Sequence, residues 1–462
     1  MVLKITHFLA IRQEPMSFFY DSTSRNQYLR NLNYLKGVAI PNSVTIIEDG
    51  AFRECSKLES VTIPNSVTTI GKQAFYDCTN LLSLTIGSGV RFIGIGAFSD
   101  YYKYSYGSYI YYAYTIPKVI WLRTIPPSGY SEVKASVNYV SNNEFSLSNQ
   151  KVYPFLSSRF EVGNVVYVPV SQTEGTCDII DCNYAPGSSE ITIPEIVTYN
   201  DKTYKINNIG DYALYKSTLT RDLAIPNSVT TIGDYAFSGC TNLCRLTIGS
   251  GVKEIGKGSF SYYTIPKVIW LCNTPPNGHD NVKASVNYVS NNEFSLSNQK
   301  VYPFLSSRFE VGNVVYVPVS PSERTCDVID CNYAPSSTEI VIDSIVNNRN
   351  IQLKVLNVKP YSFYDNDKIT SLKISNSGYI GGSAFYGCGA LKTVNVSNNG
   401  YIGGSAFYGC MSLKTADLSN KGYVGSSAFY NCSSLKTVTL NINGVIWGSC
   451  FENCAKLSLH YS

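Results

Sequence analysis

Residues 61–83 read VTIPNSVTTIGKQAFYDCTNLLS, and the stretch before them, 38–60, reads VAIPNSVTIIEDGAFRECSKLES. A further copy begins at Leu84 as LTIGSGVRFIGIGAFSD, so the period is 23. The pattern returns at 223–245 as LAIPNSVTTIGDYAFSGCTNLCR and from Leu246 as LTIGSGVKEIGKGSF. A shorter form with period 22 then runs four times without a gap, from Leu372, Val394, Ala416 and Val438; LKISNSGYIGGSAFYGCGALKT is its clearest copy. Weaker copies stand before these last two arrays, INNIGDYAL from Ile206 and LNVKPYSFY from Leu356. Self-similarity at such a period means a solenoid, in which each copy forms one coil and no coil can bury its apolar side alone.

Each position in the coil has a physical job. Leu81, Leu84 and Ile86 end in period-2 spacing and suit a short strand. Stacked coils pair these strands into a parallel sheet at about 4.8 Å per rung. Pro or Gly then turns the chain, and the Val and Ile of SVTTI point back inward. The glycine after that Ile is expected to supply a backbone conformation that other residues resist. Phe52, Phe75, Phe98, Phe237, Phe260, Phe385, Phe407, Phe429 and Phe451 share one coil position. They predict an internal aromatic spine, each ring worth roughly 1.5–3 kcal/mol of burial. Cys55, Cys78, Cys240, Cys388, Cys410, Cys432 and Cys454 follow three residues later. A ladder points them in parallel, which suits small buried thiols better than disulfides.

The motif IPNSVTTIGxxAFxxCxxLxxLxI resembles the repeat of the BspA-like (Treponema pallidum-type) leucine-rich repeat cell-surface proteins, matched in about nine places over well over half the chain. The resemblance implies a curved right-handed solenoid of α/β type dominated by β-structure, with leucine-rich repeats of 22–23 residues interrupted by β-rich caps. It also implies export by a host-associated bacterium or protist and binding of matrix proteins, other cells or glycans. No export address is legible here. The start, MVLKITHFLAIRQEPMSFFYD, has a short apolar run that Glu14 and Pro15 cut off.

A larger repeat organises the chain. Residues 133–171, VKASVNYVSNNEFSLSNQKVYPFLSSRFEVGNVVYVPVS, recur unchanged at 282–320, an offset of 149. TIPKVIWL at 115 recurs at 264, and TCDIIDCNYAP recurs as TCDVIDCNYAP from Thr325. Three modules are therefore expected: 1–150 with repeats at about 38–122, 151–300 with a cap at 155–192 and repeats at about 206–271, and 301–462 with a cap at 304–341 and repeats at about 354–459. FEVGNVVYVPVS alternates apolar residues around Gly163 and Asn164, the pattern of a hairpin. The first module begins mid-array, and a truncated start would explain both the missing leader and the missing cap strands.

Composition and motifs bear on chemistry. The formal net charge is +4, and residues 372–462 account for all of it, with six lysines against Asp417 and Glu452. That balance is too mild for nucleic acid. No apolar run reaches the length of a membrane span. There is no P-loop, no dinucleotide fingerprint, no H-E-x-x-H and no G-x-S-x-G, and YIGGSAF is a coil turn in the register of IGDYAF. Neither catalytic residues nor cofactors are expected. No metal site is expected from three histidines, His7, His279 and His460. Asp178 and Asp181 read as a solvated strand edge, and Cys177 and Cys182, five apart on a strand, as facing opposite sides.

Two surfaces are candidates for ligand binding. Lys392, Lys414 and Lys436 follow the strand leucines of the last array, with Thr393, Thr415 and Thr437 beside them. They form either a recognition column for an anionic partner or a solvated position copied by duplication. The insert YYKYSYGSYIYYAY holds Tyr101, Tyr102, Tyr104, Tyr106, Tyr109, Tyr111, Tyr112 and Tyr114, where the second copy has only SYYTIPK. It is either a recognition element or a by-product of local duplication. The reading is a non-enzymatic binding or adhesion scaffold whose partner is a host or neighbouring-cell protein or a glycan. A structural spacer and a carbohydrate-active enzyme are the alternatives. The sequence does not fix oligomeric state.

Overall fold

The computed structural model describes residues 36–105, 108–123, 125–140, 152–154, 159–171, 173–182, 191–217, 221–290, 295–296, 299–303, 308–320, 322–331 and 338–460. The fold is a β-solenoid of leucine-rich repeats. The helical pieces among the described residues are two three-residue 3-10 turns, Tyr130–Glu132 and His279–Asn281. The chain divides into two compact units, 1–220 with 226–242 and 251–263, and 221–225 with 243–250 and 264–462.

In the first unit, strands Gly37–Ala39, Ser60–Ile63, Ser83–Ile86, Thr115–Trp121, Lys134–Val140 and Val152–Pro154 form one sheet in that order, all its pairs parallel. Ile46–Ile47, Thr69–Ile70 and Phe92–Ile93 form a second row on the far side of the same coils. The cap begins with the expected hairpin, Phe160–Val162 against Val165–Ser171. Gly163 and Asn164 take φ of 57° and 65°, the left-handed pair that a two-residue hairpin turn needs. In the second unit, Glu339–Ile342, Ser371–Ile374, Thr393–Asn398, Thr415–Asn420, Thr437–Ile442 and Ser458–His460 stack in register, Thr393 against Thr415 against Thr437.

The core is the predicted spine. Phe363, Phe385, Phe407, Phe429 and Phe451 stack face to face with centroids 4.7, 5.1, 4.9 and 5.4 Å apart. Phe52, Phe75 and Phe98 do the same at 4.9 and 5.1 Å, and Phe237 with Phe260 at 4.9 Å. The thiols behind them are unbridged. Cys410 and Cys432 donate to the carbonyls of Phe385 and Phe407, one coil earlier, at 3.3 and 3.2 Å, so the thiol serves as a small core group with one hydrogen bond.

Two sequence expectations need correction. The glycine after Ile is required by close approach and not by its own dihedral. A Cβ on Gly403 would lie 2.5 Å from the Gly382 nitrogen of the coil before it. The left-handed residue comes two positions later, as Ser405 at φ 56° or Gln73 at φ 53°. Cys177 and Cys182 do not face opposite sides: both are buried, and their counterparts Cys326 and Cys331 belong to one core cluster. A bulge at Ile180, repeated at Ile329, adds one residue to the strand and reverses the alternation.

Phe407→Ala removes a ring held between two others in the middle of its row, and a cost of about 3–5 kcal/mol is expected. Chemical denaturation of the two proteins measures it; an unchanged midpoint contradicts the spine.

Candidate functional site

On the strand side of each array, alternate residues point away from the core and align in rows. In the first array one row runs Ser60, Ser83, Lys118, Val137 and the next Thr62, Thr85, Ile120, Tyr139. The end of this face is covered. Ile120, Val137 and Tyr139 pack with Val166, Val168 and Ile180 of the following cap. Lys118, fully buried, pairs with Asp181 and donates to the carbonyls of Tyr212 and Ala213 at 3.2 and 3.1 Å, while Ser83 donates to Asp181 at 2.8 Å. Asp181 is thus an interior counter-ion and not part of a solvated strand edge.

The second unit repeats the arrangement. Ile269, Val286 and Tyr288 pack with Val317 and Ile329 of the next cap. Lys267 pairs with Asp330 at 2.9 Å and donates to the Ser362 carbonyl at 2.8 Å. Arg245 adds a second cation at 2.7 Å from Asp330. Burial pushes the Asp330 carboxyl up, but Arg245 and Lys267 outweigh it and hold it below its ordinary value.

The third array differs. Its rows run Ser371, Thr393, Thr415, Thr437 and Lys373, Asn395, Asp417, Thr439. Thr393, Thr415, Lys373, Asn395, Asp417 and Thr439 are exposed, and Ser371 and Thr437 are half-buried. A recess of about 310 Å³ lies between the two rows. Lys392, Lys414 and Lys436 are exposed one residue before their strands, and each of the later two donates its backbone N–H to the preceding lysine's carbonyl at 2.8 and 2.9 Å. The structure thus brings together all six lysines and threonines singled out in this array.

The tyrosine insert forms an antiparallel hairpin, Ser99–Ser105 with Ser108–Ala113, pairing Tyr101 with Tyr112, Tyr102 with Tyr111 and Tyr104 with Tyr109. Tyr106 lies outside the described residues. Tyr114 does not belong with the others: it is buried and donates to the Phe75 carbonyl at 3.2 Å. Tyr263 makes the matching bond to Phe237 at 3.4 Å, so Tyr114 is the coil's own residue and the insertion ends before it. Among the described residues no three His, Cys, Asp or Glu side chains converge, and no helix is long and apolar enough to cross a membrane.

The repeat geometry has a counterpart in known proteins. A model of the BspA type leucine-rich repeat region matches residues 23–124, 207–301 and 344–460, well over half the chain. The chain belongs to this family. No curated protein matches it. Solved structures similar to it include a leucine-rich cell surface protein of Faecalibacterium prausnitzii, 20% identical, covering 66% of this chain and 95% of that one with a TM-score of 0.32. The pneumococcal vaccine antigen PcpA is 16% identical over 67% of this chain and 89% of its own, with a TM-score of 0.26. A T. pallidum leucine-rich repeat protein is 14% identical over 60% and 91%, with a TM-score of 0.20.

The cap of this BspA-type chain also holds a natural pair of contrasting carboxylates. Asp327 pairs with Lys359 at 2.7 Å and accepts from the Asn357 backbone and side chain, both at 2.9 Å; its counterpart Asp178 accepts from the Asn208 backbone and side chain in the same way, at 3.0 and 3.1 Å. Burial pushes the Asp178 carboxyl up to about 6, against the lowering effect of those two bonds. A carboxyl raised above its unfolded value of about 3.9 contributes most in acid, and that contribution is lost as pH rises through about 6. Asp178→Asn should therefore gain stability relative to the parent between pH 4 and pH 7, read from melting curves. Asp327→Asn should lose stability at neutral pH, because Lys359 loses its partner.

The covered ion pairs give a second expectation. Asp181→Ala leaves Lys118 buried without its carboxylate and should cost about 3–5 kcal/mol, while Lys118→Met with Asp181→Leu should recover most of it. Denaturant titration of the single and double variants measures the difference.

Proposed function

We propose that this leucine-rich repeat protein is a non-enzymatic ligand-binding or adhesion scaffold at a bacterial or protist cell surface, and that the strand face of the third array is its working surface. One observation carries the reading. Among the described residues, the faces of the first two arrays end beneath a cap, whereas the rows of the third are exposed or half-buried and line the recess. A rigid sheet with exposed hydroxyl, amide and charged groups at fixed spacing recognises a ligand without reordering itself, which lowers the entropic cost of binding. Family membership supports a scaffold that binds proteins or glycans. Lys392, Lys414, Lys436, Thr393, Thr415 and Thr437 are its proposed contact residues.

The tyrosine hairpin is a second recognition element in this reading. Its strands form a separate two-stranded sheet and add nothing to the ladders of the first array. The chain itself we read as three modules, 1–150, 151–300 and 301–462, on the strength of the 149-residue offset.

Thr393→Trp with Thr415→Trp fills the recess without touching the core. Screened against immobilised matrix proteins and a glycan array, this variant should lose the parent's binding with an unchanged melting curve. Removal of residues 101–113, which spares Tyr114, should leave that binding in place and abolish only ligands held by the hairpin. Binding that survives both changes would remove the third array and the hairpin from consideration.

A further inference from the structure

The rows of the third array also narrow the ligand's chemistry, on the premise that this face is the binding surface. We infer that its occupant is an extended acidic polysaccharide lying along the array axis, with ring hydroxyls in the recess and acid groups over the lysine row.

The face lacks what a folded protein partner needs. Interfaces between proteins are anchored by buried aromatic, arginine or large aliphatic side chains. From Ser371 to Asn441 the outward strand positions hold Ser, Thr, Asn, Asp and Lys. An extended peptide has no purchase either, because strand addition needs a free sheet edge. Thr393–Asn398 and Thr415–Asn420 are interior strands hydrogen-bonded on both sides.

What the face offers is a double line of small hydrogen-bonding groups. Thr393, Thr415 and Thr437 flank one side of the recess and Asn395, Asp417 and Thr439 the other. Hydroxyls and amides both donate and accept, and a carboxylate accepts. That set satisfies a chain of hydroxyls in either orientation. The groups recur at about 4.8 Å along the axis, so a ligand held by several rungs is itself elongated and repetitive.

The lysines add the charge. Lys392, Lys414 and Lys436 stand beside the threonines on successive rungs. Like charges on neighbouring strands repel, and an anionic polymer along the row relieves that repulsion. Lysine's three rotatable donors reach carboxylate or sulfate without a fixed fork geometry. Asp417, inside the recess, keeps anions out of it and so orients the chain with its acid groups on the lysine side.

The test uses the full chain and four probes of matched length: a heparin-derived oligosaccharide, a hyaluronan oligosaccharide, a neutral dextran oligosaccharide and poly-glutamate. Calorimetric titration across a salt series should show binding of the acidic sugars that weakens steeply with salt. Lys392→Ser with Lys414→Ser and Lys436→Ser should lower low-salt affinity at least tenfold and flatten the salt dependence. Thr415→Trp should abolish binding by occupying the recess. Poly-glutamate bound as tightly as the sugars overturns the polysaccharide and leaves the face as a site for acidic protein. Dextran bound equally well overturns the role of the lysines. Failure of all four probes overturns the acidic polysaccharide and leaves the face reading to the matrix-protein screen. Acidic sugars bound undiminished by Thr415→Trp overturn both the orientation and the face itself.

Discussion

Each coil of this chain has one apolar side and no means of burying it except against the next coil. The face-to-face ring stacking of Phe385, Phe407 and Phe429 at about 5 Å is the direct expression of that constraint. Coil spacing is fixed by hydrogen bonds between neighbouring backbones, so a ring that fills its place in one coil meets an identical ring in the next. Glycine at 403 and its equivalents follows from the same spacing, since backbone there comes within 2.5 Å of where a Cβ would sit. Outer tyrosines obey it too: Tyr386, Tyr408 and Tyr430 stack at 4.7 and 4.9 Å although only half-buried.

This regularity decides how much could be read from the sequence. Anything set by position within one coil was legible: the strand leucines, the phenylalanine row, the unbridged cysteines and the alignment of Lys392, Lys414 and Lys436. The period alone places such residues, without knowledge of distant contacts. The hairpin turn at Gly163 and Asn164 was legible for a similar reason, because its dihedrals are local.

What was not legible depends on one extra residue or on contacts far apart in sequence. The bulges at Ile180 and Ile329 reverse side-chain alternation, and nothing in TCDIIDC distinguishes a bulged strand from a regular one. The burial of Lys118 beside Asp181 joins residues 63 positions apart. A signal did exist, since both residues recur at an offset of 149 and Lys118 stands among Ile116, Val119, Ile120 and Trp121, an apolar setting in which a solvated lysine is out of place. Tyr114 ends a fourteen-residue stretch in which seven other tyrosines precede it, and only alignment with Tyr263 separates it as part of the coil.

The same strand position thus changes character with what lies over it. Along one outward row the residues are Thr247, Ile269 and Tyr288 where a cap closes the array, and Lys373, Asn395, Asp417 and Thr439 where the face is open. Stability of the coil does not require this difference, because these side chains point away from the core in both cases. An apolar row on an open parallel sheet would invite association with any other apolar surface, and a polar row under a cap would leave buried groups unsatisfied. The second cost is visible in the covered arrays, where Lys118 and Lys267 are tolerated only because Asp181, Asp330 and backbone carbonyls surround them. Among the described residues no such groups enclose the rows of the third array. Its polar residues are those of a solvated surface, and their alignment, inherited from the coil spacing, turns scattered polarity into lines.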